Sequence, residues 1–145
     1  MGSAPLTAFA VTPALREWYV DEDAESLEYA ALLAAARAAL RLLDDDPAAP
    51  RRRVVVVADV PDADVTPRPD LDRAVVRLGQ PVVMDQVVAA HLDDAAAEDT
   101  VAKAARSVLD ADLGSADAQF VVDGAEGYDL GWYATQELGP LVELL

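Results

Sequence analysis

The chain has 145 residues, a formal net charge of −16, one histidine, one lysine and no cysteine. A surface this negative repels phosphate backbones and anionic membrane faces, which excludes direct nucleic-acid binding through a basic patch. The missing residue types exclude disulfides, thiolate metal sites and thiolate nucleophiles, and leave Lys103 as the one amine side chain able to form a Schiff base.

In chain order, Thr7–Val11 predicts a short strand that runs into Thr12-Pro13. A hydroxyl N-cap followed by a proline at the first helical position starts a short helix over Ala14–Val20. Glu25–Leu43 is the strongest helix, free of glycine and proline and built from good helix formers. Its leucines spread around most of the circumference and leave a narrow polar stripe with Ser26, Arg37 and Arg41. Such a helix is covered on more than one side, by a sheet and another helix or at an oligomer or partner interface. Leu33 and Leu40 are expected in the core or at a self-interface. Asp44-Asp45-Asp46-Pro47 ends the helix, and Ala48–Arg53 reads as a loop with a basic tip.

Val54–Ala58 is a continuous β-branched run and reads as a strand buried on both faces. Asp59–Asp72, with Pro61, Pro67 and Pro69, reads as an exposed loop. Val75–Leu78 and Val82–Met84 read as strands around Gly79-Gln80-Pro81, and Val87–Leu92 as a further strand. Ala95–Leu109 predicts a helix with the inward stripe Val101, Ala104, Ala105 and Val108, stopped by Gly114. Gln119–Val122 reads as a strand, Gly124–Gly127 as a turn and Leu130–Ala134 as the last strand. The tail 136–145 reads as one or two helical turns.

This order implies an α+β fold, a mixed β-sheet with helices packed on one face, of which a ferredoxin-like sandwich is one version. An apolar share of 53% is ample for a single domain over 1–145, with 1–6 a cloning scar or a disordered start. No apolar run approaches the roughly 20 residues that span a bilayer, and no signal peptide is evident. The expected location is the cytoplasm.

His91 and Asp93 lie two apart on a strand, so an imidazole and a carboxylate share a face and can share an ion, with Asp59 or Asp123 as further ligands. Two ligands are too few for a tight site; the alternative is that Asp93 or Asp94 caps the following helix. No metal, cofactor or catalytic residue is therefore assigned. Trp18, Tyr19, Trp132 and Tyr133 are candidate binding residues, since such rings concentrate at contact hot spots, although they also fill space in an alanine-rich core. Arg51-Arg52-Arg53 either grips an anion or guards the hydrophobic strand behind it against aggregation.

Thr7–Tyr19, Leu27–Arg37, Arg51–Pro61 and Trp132–Leu138 together resemble a family of small acidic actinobacterial proteins of unknown function. The resemblance covers about Thr7 to Leu138 and implies no catalytic residues. It implies a further short strand and helix ahead of Thr7, where Met1–Pro5 stands here. It also favours GC-rich codon usage over salt adaptation as the source of the acidity. The functional expectation is a non-catalytic domain that contacts a protein partner or itself. The alternatives are a carboxylate-based enzyme or small-molecule binder around His91 and Asp93, and a DNA mimic that occupies a nucleic-acid-binding protein.

Overall fold

Strand β1 (Leu6–Phe9) hands the chain to Thr12, whose hydroxyl accepts from the Leu15 amide at 3.1 Å and caps α1 (Pro13–Trp18). The same hydroxyl donates to the Arg73 carbonyl. The computed structural model describes residues 6–19 and 22–143. The expected scar at the N-terminus (except Leu6), Val20 at the end of the expected short helix, the acidic Asp21 and the last two residues of the helical tail lie outside the described residues. Asp23 opens the longest helix, α2 (Ala24–Asp45), by accepting from the Ser26 amide at 2.8 Å. That bond also holds the Asp23 carboxyl below its ordinary value.

The chain divides into two compact units, one made of residues up to Ala35 with Ala58–Val87, the other of Ala36–Val57 with Val88 onward. The first unit holds β1, α1 and the first half of α2. It also holds β3 (Val65–Pro67) and β4 (Val75–Leu78), in an antiparallel sheet of order β1-β4-β3. Its register places Arg77 between Thr7 and Thr66. Its core is small: Leu15, Leu27, Ala31 and Ala74, with Phe9 and Val11 packed against them.

Strand β3 lies inside the stretch expected to be an exposed loop. Val65 and Thr66 are β-branched, and Pro67 is tolerated because β3 is an edge strand. The strand expected at Val82–Met84 is absent. Met84–Gln86 forms a 3₁₀ turn, and the Gln86 side chain accepts the Val83 amide at 3.0 Å, offering the main chain a local partner instead of a ladder.

The second unit holds the rest of α2 and almost all of β2 (Val54–Ala58) and β5 (Val87–Leu92). Then follow α3 (Glu98–Asp112), α4 (Ala116–Glu126), β6 (Gly131–Ala134) and α5 (Leu138–Glu143). Its sheet runs β2-β5-β6, also antiparallel. The α+β class is as expected, but the single mixed sheet and its ferredoxin-like version give way to two three-stranded antiparallel sheets.

The segment expected as strand Gln119–Val122 and turn Gly124–Gly127 is helix α4. The Ser115 hydroxyl caps it by accepting from the Ala118 amide at 3.2 Å, and Ala118, Val122 and Ala125 give it a buried stripe at i, i+4 and i+7. Gly114, at φ +102°, takes the left-handed conformation that turns α3 into α4. Leu40 and Leu43 of α2 pack with Val101 and Val108 of α3 and with Val122 and Ala125 of α4. Leu40 is fully buried as expected, whereas Leu33 is only half-buried. No described helix is long and apolar enough to cross a membrane.

Candidate functional site

Arginines 51–53, adjacent in sequence, have three separate fates. Arg51 donates to the carbonyls of Leu43 (3.0 Å), Asp46 (2.5 Å) and Ala49 (2.7 Å). It thereby closes the C-terminal end of α2, where no basic residue stands in the last turn. Arg52 pairs with Glu98 at 2.9 Å. Arg53 is buried, and its Nε and Nη2 reach the two oxygens of Asp93 at 2.8 Å each. Its backbone amide also donates to Asp93 at 2.7 Å, and its guanidinium to the Tyr128 carbonyl at 3.1 Å. Of the two readings of this triplet, anion grip and guard, neither foresees so complete an internal use of the side chains.

The turn that Arg51 closes leaves an open, mostly apolar groove of about 200 Å³ between the end of α2 and the start of β2. Ala39, Leu42, Leu43, Ala49, Pro50 and Val54 line it, with Arg52 at its side. Leu43 and Leu40 point inward, so helical spacing turns Leu42 out, and it is 70% exposed. Val54 and Val56 are 47% and 56% exposed on one face of β2. This corrects the expectation of a strand buried on both faces: β2 is an edge strand with one face open.

A family model described as a family of unknown function (DUF6912) matches residues 1–142. The chain belongs to this family. No curated protein and no solved structure matches it. The DUF6912 match takes in both compact units. Membership brings no assigned chemistry, so the other candidate residues of this DUF6912 chain stand on geometry alone.

Asp93 is not turned toward an ion: both its oxygens are spent on Arg53. Asp94, not Asp93, caps the next turn by accepting from the Ala96 amide at 3.0 Å. His91 sits opposite Trp132 across β5 and β6, half-buried, and desolvation holds its imidazole pKa below the ordinary value. Asp59 follows β2 in the first unit, and Asp123 on α4 accepts from Gln119 at 2.7 Å. Among the described residues no three His, Asp or Glu side chains gather as a metal site.

The aromatic candidates lie in different units. Trp18 is 60% exposed and carries the Arg73 guanidinium 3.5 Å above its ring, with the exposed Tyr19 beside it in sequence. Trp132 is 61% exposed, while Tyr133 is half-buried and folds over Gly131, where a Cβ would stand 3.3 Å from its ring.

The polar stripe of α2 finds its partner at the end of α3. Asp112 accepts from Arg41 at 2.7 and 3.0 Å and from Arg37 at 3.0 Å. Chiefly the Arg41 bonds, then those of Arg37, hold its carboxyl at about 2, against an opposing desolvation. The unfolded chain therefore binds this proton more readily than the folded one. The stability Asp112 contributes is present above pH 3.8 and is lost as pH falls toward 2. Denaturant titrations between pH 5 and pH 2 should show Asp112→Asn with a flatter acid slope than wild type. At neutral pH the same change should cost about 1 kcal/mol or less, because the cluster is partly solvated.

Proposed function

We propose that the protein is a cytoplasmic, non-catalytic single domain that acts by protein–protein contact. One observation carries this reading: Leu42 and Val54 stand exposed on an open groove with an apolar floor, and the exposed Val56 extends the same face of β2. Scattered exposed apolar side chains are ordinary, but a contiguous set around a concavity is the pattern of a contact surface. The enzyme alternative loses support because its central carboxylate, Asp93, is occupied by Arg53. The family match across both units favours one domain.

The test compares wild type with Leu42→Glu as baits in native lysate, read by mass spectrometry. Because Leu42 is exposed, the substitution should change stability by no more than about 0.5 kcal/mol. Polypeptides retained by wild type, a second copy of the chain included, should be lost from the variant. An identical retained set for both baits would overturn the reading.

A further inference from the structure

Independently of the contact reading, we propose that the sheet of the first unit binds a phosphate-class oxyanion, held by Arg77 on the middle strand and by Thr7 and Thr66 on the strands either side of it. Register sets these residues in one row: Thr7 pairs with Arg77 across β1 and β4, and Thr66 pairs with Arg77 across β3 and β4. Directly opposite residues project to the same face, with Cβ atoms about 4.5–5.5 Å apart. The row therefore reads hydroxyl, guanidinium, hydroxyl on one face, and all three residues belong to one compact unit.

Arg77 carries the argument. Phe9 and Val75 lie two positions along the same face, and Phe9 packs on the small core, so the arginine stem leaves an apolar surface. Its Nε is sealed from water, yet among the described residues no acceptor stands within bonding distance of it. Folded proteins seldom leave a buried donor uncompensated. The side chain as a whole is half-buried, so its terminal nitrogens reach the surface. Asp70 feels the Arg77 charge but gives its two oxygens to Arg68, at 2.9 and 2.7 Å. A guanidinium without a carboxylate stands out in a chain with 27 acidic and 11 basic residues.

Thr7 and Thr66 are exposed, and neither hydroxyl has a partner among the described residues. A threonine hydroxyl has one proton and two lone pairs. Turned toward Arg77, it accepts from Nε and keeps its own proton to donate outward. The row then presents donors alone, and it selects a ligand that is negatively charged and rich in acceptors. A carboxylate spends both oxygens on the guanidinium fork. A tetrahedral phosphate meets that fork and still has oxygens for the hydroxyls of the neighbouring strands.

The probe is inorganic phosphate, titrated into the full chain at constant ionic strength, with acetate and chloride as controls. Calorimetry should show one-to-one saturation with a Kd of about 1 mM or tighter, and acetate should bind at least about tenfold more weakly. By NMR, phosphate should shift the Arg77 Nε–Hε signal, which is assigned by its disappearance in Arg77→Lys. That variant keeps the charge but loses the fork, and should bind phosphate at least about tenfold more weakly. Thr7→Val with Thr66→Val preserves shape and β-branching, and should cost about fivefold or more with circular dichroism unchanged.

No saturation up to about 20 mM phosphate overturns the proposal. So does undiminished binding in a folded Arg77→Lys or in the double threonine variant. An Nε–Hε signal indifferent to phosphate overturns it whether or not Arg77→Lys folds. Equal affinity for acetate overturns the phosphate assignment.

Discussion

Asp93→Ala is expected to destabilise the protein by about 3–5 kcal/mol, a large part of the margin that holds a domain of this size together. The carboxylate and the Arg53 guanidinium are both almost wholly removed from water, and they meet through two parallel bonds of 2.8 Å. Removing one partner leaves a buried cation whose remaining acceptor is the Tyr128 carbonyl. It also frees the Arg53 amide, which donates to Asp93 at 2.7 Å. The loss should therefore exceed that of an ordinary surface ion pair several-fold. Replacing both members at once, as in Arg53→Met with Asp93→Leu, removes the uncompensated charge and should recover much of the stability. Urea titrations of the two single variants and the double variant close the cycle. A loss under about 1 kcal/mol in Asp93→Ala would show that water reaches the pair.

Leu40→Ala is expected to cost about 2–5 kcal/mol. Leu40 is 1% exposed and packs among helical residues whose large members are Leu43 and the fully buried Val101, Val108 and Val122. The rest of that cluster is mostly alanine. Alanines have no rotamers with which to fill a hole, so the site collapses poorly and the cost should fall in the upper half of the range. Leu42→Ala, two positions on, removes the same atoms from solvent and should stay within about 0.5 kcal/mol. The contrast between two leucines of one helical turn, measured by denaturant unfolding, checks the inward and outward assignment directly. Equal losses would contradict it.

What was legible in the sequence was whatever depends on near neighbours. The absence of helix breakers in Glu25–Leu43 fixed α2, and the Thr12-Pro13 start fixed α1. The bounds expected for strands β2, β4 and β5 are the observed ones. Phe120-Val121-Val122 misled because β-branched residues next to an aromatic imitate a strand. The decisive signal, Ser115 followed by Ala118, Val122 and Ala125, was present but carried by small side chains.

Distant pairing was not legible. Arg53 and Asp93 are 40 positions apart, and nothing local distinguishes Asp93 from its neighbour Asp94, which takes the capping role. The stripe of Arg37 and Arg41 was visible, but its acceptor Asp112 lies more than 70 positions away. Val54–Ala58 was recognised as a strand, yet whether its faces are covered depends on sheet order, which four valines in a row do not specify.

Sheet order also has a consequence for how the protein is made. Each of the first three strands pairs only with one synthesised later: β1 and β3 wait for β4, and β2 waits for β5. A ribosome that has delivered everything up to Ala74 has released no strand together with its partner. At about 5–20 residues per second, Val54–Ala58 spends on the order of seconds as an exposed apolar ribbon before Val87–Leu92 follows. During that interval Arg51, Arg52 and Arg53 have none of their final acceptors beyond the main chain close by, and stand as three free charges ahead of the ribbon. The same side chains thus serve twice, first as a guard on the nascent chain and then, once Asp93 and Glu98 emerge, as internal ties of the finished fold.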